Sequence, residues 1–334
     1  MPKFKIVDLF AGVGGWSVAG RHLGVPVVGV EWCRHACQTR RAAGLATVEE
    51  DVRKLSPSDF PTENVLVGHP PAQAFIVPGR HRGRTALTQV LDLVGRMSRR
   101  DDVGAELVHA EDERTGLVLE PLRWALAAID EGRAYDVIAL VQSPSNLPLW
   151  EAMGEALAAE GYSVASGLLR AEQFGVPQTR RTAVMIARLG GVAVLPRPTH
   201  HAFGKGVPRG EAGLGLLPWV PMGEALSRPH PFEMISNYGL GGDPTARSRR
   251  TSAEPAFTVT GKIRRNRVVT PHGSELPRLT DSEAGQLQTF PRGFPWAGQG
   301  VAQQIGNAVQ PLLAAHVLAA ALDLPAPTPQ PASS

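Results

Sequence analysis

Short apolar runs that end in an acidic residue or a glycine alternate with amphipathic stretches over the first 190 residues. Helical patterns occupy the stretch after Gly15 to about Leu23, and then residues 35–43, 114–131 and 149–160. The apolar runs predict strands over residues 5–9, 25–30, 47–51, 64–68, 136–141, 163–169 and 182–188. Strands that alternate with helices predict βαβ units and a parallel sheet.

The pattern changes near residue 190, where the chain becomes rich in Pro, Gly, Arg and His. Strand patterns there are short and broken, as over residues 256–260, and helical patterns return at 281–287 and 309–322. We therefore predict an α/β doubly wound sheet formed by residues 1–190 and 278–323, with a small loop-rich second domain over 191–277. The tail at 324–334 is predicted to be disordered.

Composition narrows the classes of function. Hydrophobic residues make up 43% of the 334 residues and the net charge is +3, which fits a globular protein and permits nucleic-acid binding. Two cysteines four residues apart, Cys33 and Cys37, form neither a disulfide framework nor a zinc site, so no metal is expected. The chain shows no membrane-spanning run and enters a strand pattern at once without a signal peptide, so a cytoplasmic location is expected.

Candidate chemistry begins where the first three predicted strands end. A Gly-rich turn at Gly12, Gly14 and Gly15 joins the first strand to a helix, which lets the backbone approach a ligand closely. Glu31 ends the second strand, where a carboxylate can accept the ribose hydroxyls of a nucleoside cofactor. Asp51 follows the third strand and could accept from an adenine amine. Three such features at one sheet edge indicate a nucleoside-cofactor site.

A series of motifs in fixed order resembles the C5 cytosine DNA methyltransferase family over about residues 4–323. The Gly-rich turn, the Glu31 segment and the Asp51 segment match the first three motifs. The later matches are the segments 68–73, 174–180, 278–280 with 287–291, and 304–309.

The resemblance implies an S-adenosylmethionine (SAM) or S-adenosylhomocysteine cofactor. By match with the family, Phe10 stacks on the adenine, while Gly12, Gly14 and Asn307 line the methionine side. Glu31 and Asp51 keep the roles given above, and the same motifs add Trp32 and Val52 to the cofactor site.

The resemblance also implies double-stranded DNA as the partner, with residues 191–277 as a target-recognition domain, and hence association with the nucleoid. Arginine suits contacts to phosphates and to guanine. A basic loop after the Pro-Pro motif closes over the flipped base in the family, and here it contains Arg82 and Arg84. The predicted DNA-binding residues are Arg82, Arg84, Arg247, Arg249, Arg250, Lys262, Arg264 and Arg265.

Three positions depart from the pattern that C5 methylation needs. In the family a cysteine adds to cytosine C6, a glutamate holds the base edge and an arginine contacts O2. The cysteine position holds Ala72, the glutamate position holds Val141 (or Gln142 if the match slips by one residue), and the second arginine of the Pro-Gln-x-Arg-x-Arg motif is Thr182. Arg180 remains from that motif, and His69 replaces the glycine before Pro70-Pro71.

Three hypotheses follow from these departures. The first is a SAM- and DNA-binding pseudoenzyme, acting as a regulator or as a partner of an active methyltransferase. The second is an enzyme with altered chemistry that methylates an exocyclic amine, since His69-Pro70-Pro71 partly resembles the motif of amino-methyltransferases. The third is ordinary C5 methylation, either because the motifs are matched to the wrong positions or because another residue takes the place of the missing cysteine.

Overall fold

Seven strands form the central sheet of the computed structural model, which describes residues 3–71, 81–108, 116–209, 215–237 and 247–327. The strands are β1 (Ile6–Leu9), β2 (Val27–Glu31), β3 (Thr47–Glu49), β4 (Val65–Gly68), β5 (Val137–Gln142), β6 (Tyr162–Arg170) and β7 (Arg181–Leu189). Their order is β3-β2-β1-β4-β5-β7-β6. The first five strands are parallel, as predicted, while β7 pairs antiparallel with both neighbours.

Helices cover both faces of this sheet. The helices of the described residues are α1 (Gly15–Leu23), α2 (Arg34–Ala42), α3 (His81–Ser98), α4 (Gly104–Val108), α5 (Glu120–Asp130), α6 (Leu147–Ala159), α7 (Met222–Ala225), α8 (Asp281–Leu287), α9 (Val301–Asn307) and α10 (Pro311–Leu322); of these, α7, α8 and α9 pack in a separate core. This arrangement is the SAM-dependent methyltransferase fold class that the sequence predicted.

Two local predictions need correction. The helix predicted from residue 114 begins at Glu120, where Pro121 occupies the first turn, and residues 109–115 lie outside the described chain. Residues 256–260 form no strand; Ala256 makes only an isolated bridge with Gln178. The predicted tail residues 328–334 also lie outside the described chain.

Strand alternation divides the core into two layers. Val7, Leu9, Leu66 and Leu140 pack on one face of the sheet with α3, α5 and α6. Ile6, Val67, Ala139, Val141 and Val184 pack on the other face with α1 and α10. Because neighbouring residues of a strand point to opposite faces, this assignment decides which side chains can reach the site.

A smaller antiparallel sheet lies in the region predicted as a second domain. It contains β8 (Glu233–Ile235), β9 (Arg249–Thr251), β10 (Arg267–Val269) and β11 (Glu275–Leu276) in the order β11-β10-β8-β9. Its core includes Phe232, Met234 and Val268, and extends to Leu287 of α8 and Ile305 of α9. The small sheet therefore packs against helices of the last motifs, and the domain boundaries at 190 and 278 stay predictions.

The segment Val301–Leu322 is apolar and long enough for a membrane helix, with a mean hydropathy of 1.5. It is 72% buried within the fold, and Ala308–Gln310 interrupt it between α9 and α10. The segment thus behaves as a core element that packs on α1.

His316 of α10 makes stability depend on pH. It is 4% exposed, its ring lies 5.2 Å from that of Phe174, and burial together with His200 lowers its pKa to about 4. The unfolded chain therefore binds the proton first. Stability from this group is complete above pH ~6.5 and is lost as the pH falls towards 4, by up to about 3 kcal/mol.

This pH effect can be measured by urea unfolding at pH 7.5 and pH 4.5. The His316→Gln variant is expected to lose less free energy of unfolding between these pH values than the natural chain. The exposed His272 offers the control, because His272→Gln is expected to leave the difference unchanged. Equal losses in all three proteins would contradict the assignment.

Candidate cofactor and DNA site

A tight turn at the carboxyl end of β1 opens the candidate cofactor site. Phe10, Gly12 and Gly14 have φ angles of 61°, 52° and 101°, in the left-handed region that favours glycine. The Ala11 N–H donates to Val30 O at 3.0 Å, which ties the turn to β2. A Cβ placed on Gly12 would meet nothing within 4 Å, so the space above the turn is open to a ligand.

Glu31 lies beside this turn at the end of β2 and is 9% exposed. Its Oε2 accepts from the Gly12 N–H at 2.8 Å and its Oε1 from the Cys33 N–H at 2.7 Å. Burial raises the pKa of Glu31, whereas these hydrogen bonds and Arg40 lower it. Each carboxylate oxygen keeps a second lone pair, so Glu31 can also accept ribose hydroxyls.

The third acidic position is already engaged within the chain. Arg53 donates to both oxygens of Asp51, at 3.0 Å from Nε and 2.5 Å from Nη2, and its guanidinium lies 5.7 Å from the ring centroid of Trp32. Trp32 is 54% exposed and offers a face to a planar ligand. Val52 is buried in the core and can contribute only its backbone to the site.

The other wall of the cofactor site comes from the last motif. Val309 O lies 2.2 Å from where a Cβ of Gly15 would be, so the segment before α10 packs directly on the start of α1. Asn307 is exposed at the end of α9, and its Oδ1 accepts from Gln303 Nε2 at 2.7 Å. The structure therefore places the segment that follows Asn307 against the start of α1, and the contact of Asn307 with the cofactor stays a prediction.

A cleft of about 460 Å³ opens beyond the carboxyl end of β5 and the start of β7. It separates the large sheet from the chain that leads into the small sheet, and no carboxylate of the described residues lines it. Its lining residues are Ser143, Pro144, Thr179, Arg180, Arg181, Thr258, Val259, Thr260 and Gly306. The sequence reasoning had singled out only Arg180 for the site.

The two candidate positions for the missing glutamate lie on opposite faces of β5. Val141 is 2% exposed in the core layer with α10, so its side chain cannot touch a base, and placing the glutamate there is wrong. Gln142, the alternative, donates from Nε2 to Pro70 O at 2.5 Å and accepts the Ser143 N–H on Oε1 at 2.7 Å. Gln142 therefore joins the Pro-Pro loop to the edge of the cleft.

His69 and Arg180 lie next to Gln142. Burial, with Arg180 adding to it, lowers the pKa of His69 to about 3, while contacts with the Gln142 side chain and the Asn307 backbone oppose the change. His69 is therefore neutral at pH 7. Arg180 donates from Nη1 to Gly306 O at 3.2 Å, and burial lowers its pKa without removing its charge.

Thr182, at the second arginine position, is 6% exposed and its Oγ1 has no hydrogen-bond partner. Ala72, at the cysteine position, lies outside the described residues. The chain has only two cysteines: Cys33 follows β2 and Cys37 is buried in α2, where Sγ donates to Glu31 O at 3.2 Å. Both thiols thus lie on the cofactor side of the sheet.

Buried amides join the cleft to the small sheet. Gln178 donates from Nε2 to Leu287 O at 2.8 Å and to Gln288 Oε1 at 2.7 Å, and its Oε1 accepts the Val259 N–H at 2.9 Å. Gln288 in turn donates to Ile305 O at 2.6 Å. These hydrogen bonds between buried amides fix the position of the two cleft walls relative to each other.

The predicted DNA-binding residues divide into two groups. Arg250 packs against aromatic rings: its guanidinium lies 4.1 Å from the ring centroid of Phe203 and 5.3 Å from that of Phe257, and its Nη1 is buried. Its contact with DNA stays a prediction. Arg82 and Arg84 belong to the first turn of α3 rather than to a loop, and their side chains lie outside the description.

The remaining cations lie in and near the turn that follows the cleft residues Thr258–Thr260. Lys262, Arg264 and Arg265 are exposed there; Arg264 pairs with Asp281, whereas the other two make no ion pair within the described chain. Arg249 is exposed and pairs with Glu233 at 3.3 Å, and Arg247 is half-buried. The rim of the cleft therefore carries positive charge.

Comparison with known proteins identifies the family. The C-5 cytosine-specific DNA methylase profile matches residues 4–93 and 229–322, which is more than half of the chain. The chain belongs to this family. It is similar to the Type II methyltransferase M1.HphI of Haemophilus parahaemolyticus, with 27% identity over 95% of this chain and 86% of the relative. It is also similar to M.AplI of Arthrospira platensis, with 25% identity over 93% of this chain and 84% of that protein.

Solved structures show the same fold. The Entamoeba histolytica methyltransferase EhMeth matches with a TM-score of 0.63 and 14% identity, over 97% of this chain and 99% of the other. The Dnmt2 methyltransferase of S. pombe gives the same TM-score and identity over 96% of this chain and 99% of the other. At these identities the likeness concerns the fold alone.

The cofactor of this family is SAM, which supplies the methyl group. The residues present fit it: the space above Gly12 is open, Glu31 holds two acceptor oxygens at the turn, and Trp32 offers an exposed ring. Phe10 lies at the mouth of the turn, packed partly against the core.

Proposed function

We propose that this protein binds SAM and duplex DNA on a C5-methyltransferase scaffold without methylating cytosine at C5 by the family's route. In this role it acts as a regulator, or as a partner of an active methyltransferase. The observation that carries the proposal is the state of Gln142, which puts a neutral amide in place of the carboxylate and which donates to Pro70 O and accepts the Ser143 N–H.

A carboxylate at position 142 would attract the amine and the protonated N3 of a cytosine intermediate. The amide of Gln142 carries no charge to stabilise that intermediate, and its oxygen already accepts the Ser143 N–H. Loss of one acid–base group costs ~10²–10⁴ in rate. This loss alone would leave a slow enzyme.

The missing thiol has the larger consequence. Ala72 offers a methyl group where the family's nucleophile forms a bond to C6. Cys33 cannot replace it, because it follows β2, whereas Ala72 follows β4, and the two strands are separated by β1. At a strand spacing of ~4.8 Å this separation is about 10 Å, well beyond the reach of a cysteine side chain. Without a nucleophile C5 stays unreactive towards the methyl donor.

Binding of DNA is supported by the rim of the cleft. The arginines Arg180 and Arg181 line it, and Lys262 and Arg265 extend the positive charge along the next turn. Arginine and lysine at exposed positions bind phosphates and release counterions. The relatives named above are methyltransferases of restriction–modification type, which favours duplex DNA as the ligand.

The salt dependence of DNA binding tests this proposal. Lys262→Ala and Arg265→Ala are each expected to weaken binding to mixed-sequence duplex DNA and to reduce the slope of log K against log salt by about 1. Fluorescence anisotropy between 50 and 300 mM salt would measure it. As a control, Arg99→Ala removes an exposed arginine at the far end of α3, where it pairs with Asp101 at 3.1 Å, and should leave the slope unchanged.

If the natural chain binds no duplex DNA, or binds it without salt dependence, the proposed function fails. Calorimetric titration with SAM tests the other half of the proposal, since a folded protein without cofactor binding would contradict it equally. The two measurements are independent.

His69 supports a second candidate function, methyl transfer to an exocyclic amine. A neutral imidazole before Pro70-Pro71 could accept a hydrogen bond from an amine and orient it towards the methyl donor, and the low pKa of His69, about 3, keeps the ring neutral at physiological pH. The appearance of N4-methylcytosine or N6-methyladenine in DNA treated with the protein and SAM would favour this candidate. Loss of that product in His69→Gly would assign it to the imidazole.

A further inference from the structure

Arg40 lies on α2 beneath the Gly-rich turn with 0% of its surface exposed. Burying a guanidinium is costly unless hydrogen bonds and nearby charge compensate it. Glycines leave the space that its guanidinium occupies: a Cβ on Gly29 of β2 would lie 2.1 Å from Arg40 Nη2, and one on Gly14 would lie 3.2 Å from Nη1. The backbone of the cofactor turn and of β2 therefore closes around this side chain.

The hydrogen bonds of Arg40 all go to neutral acceptors. Its Nε donates to Thr47 Oγ1 at 3.0 Å, and Nη2 donates to Ser17 Oγ at 3.1 Å and to Ala46 O at 2.8 Å. A longer contact of 3.4 Å joins Nη1 to Ala11 O in the turn itself. One side chain thus links α1, the turn and the chain that enters β3.

Among the described residues, no carboxylate forms an ion pair with Arg40. Burial raises the pKa of both Asp8 and Glu31, and the charge of Arg40 opposes that rise at longer range. Asp8 of β1 is fully buried, neither of its oxygens has a hydrogen-bond partner, and burial raises its pKa to about 8. Cys37 of α2 also faces Glu31, and burial raises the pKa of its thiol to about 12, so it stays neutral.

We propose that Arg40 is a positioning residue for the cofactor: it clamps the Gly-rich turn and places a positive charge near Glu31. It does so without occupying the Glu31 oxygens, which receive only the Gly12 and Cys33 N–H groups and remain available to ribose hydroxyls. This inference rests on the proposed binding of the cofactor.

The substitution Arg40→Gln removes the charge while keeping hydrogen-bonding groups. Glu31 would then take up a proton more readily as the pH falls. The protonated carboxyl carries an O–H donor on one oxygen, so it accepts hydrogen bonds less well than the carboxylate. We expect the affinity for S-adenosylhomocysteine, relative to that of the natural chain, to be several-fold lower at pH 6 than at pH 8, because the neutral carboxyl is a weaker acceptor for the ribose hydroxyls. Isothermal titration calorimetry at both pH values measures the ratio.

Two matched variants separate charge from packing. Arg40→Lys keeps the charge but loses part of the clamp, so its affinity should fall by the same factor at pH 6 and pH 8. In the double variant Arg40→Gln with Glu31→Gln, Glu31 no longer titrates, and the extra loss at pH 6 should disappear. An extra loss that persists would come from Asp8, whose pKa is about 8, and would contradict the role given to Glu31. Thermal unfolding of each variant establishes that it is folded at the temperature of the titration.

A loss in Arg40→Gln that is equal at both pH values would overturn the proposal and leave Arg40 a purely structural residue. If Arg40→Gln does not fold, Arg40→Lys decides the matter alone, because a loss that grows as the pH falls would contradict the retained charge. If the natural chain binds no S-adenosylhomocysteine at either pH, the proposed function fails first, and this inference fails with it.

Discussion

Ala72→Cys combined with Gln142→Glu and Thr182→Arg is expected to produce 5-methylcytosine where the natural chain produces none. The three changes restore the nucleophile, the carboxylate at the cleft edge and the second arginine of the motif. Because Thr182 is only 6% exposed, an arginine there can itself destabilise the fold, so the double variant Ala72→Cys with Gln142→Glu is measured beside the triple variant with the same expected product. Because a nucleophile is obligatory on this route, we expect the rate to rise from below detection by ~10²-fold or more. Nucleoside mass spectrometry of unmethylated, mixed-sequence DNA incubated with protein and SAM would detect it without knowledge of the recognition sequence.

The same triple variant with Val141→Glu in place of Gln142→Glu is the matched control. Val141 is 2% exposed in an apolar layer, so a carboxylate there is buried without a partner and costs several kcal/mol of stability. We expect this control to be poorly folded and inactive. If the Gln142 version is folded, binds SAM and still yields no 5-methylcytosine, the scaffold has changed beyond these three positions and the account of the cleft is wrong.

Glu31→Gln is expected to lower the affinity for SAM by about 100-fold. The carboxylate accepts N–H groups on both oxygens, so the amide nitrogen of a glutamine would face a backbone donor and push the turn or the strand end away. The ribose would also lose a charged acceptor. Isothermal titration calorimetry with SAM at pH 8 measures the loss.

Glu49→Gln provides the control for Glu31. Glu49 lies at the end of the adjacent strand β3, is exposed, and pairs with Arg41 at 2.6 Å away from the turn. We expect its substitution to leave the affinity for SAM unchanged. Equal affinities of Glu31→Gln and the natural chain would show that the ribose is held elsewhere.

The large sheet could be predicted because each of its first strands is a short apolar run followed by a turn and a helix. The antiparallel direction of β7 could not, since periodicity records which face a residue occupies and not the direction of its strand. The four short strands of the small sheet also escaped prediction, because three of them have only three residues each and the fourth has two. Their pairing depends on contacts that are distant in sequence.

The cofactor residues near the turn could be predicted because they lie at the ends of apolar runs, which is a signal that the local sequence carries. The sequence did not distinguish Val141 from Gln142 as the glutamate position, because the motif match leaves a shift of one residue open. Such a shift moves the side chain to the other face of the sheet. The stacking of Arg250 on Phe203 could not be predicted, because the two residues are far apart in sequence. Arg40 gave no signal, because its partners come from three separate segments.

The most direct test of the account is nucleoside mass spectrometry of unmethylated, mixed-sequence duplex DNA after incubation with the natural chain and SAM, with the bound cofactor and DNA measured on the same preparation. The account predicts saturable SAM binding, salt-dependent DNA binding and no 5-methylcytosine above a protein-free control. Formation of 5-methylcytosine by this chain, in the absence of any other methyltransferase, would contradict it.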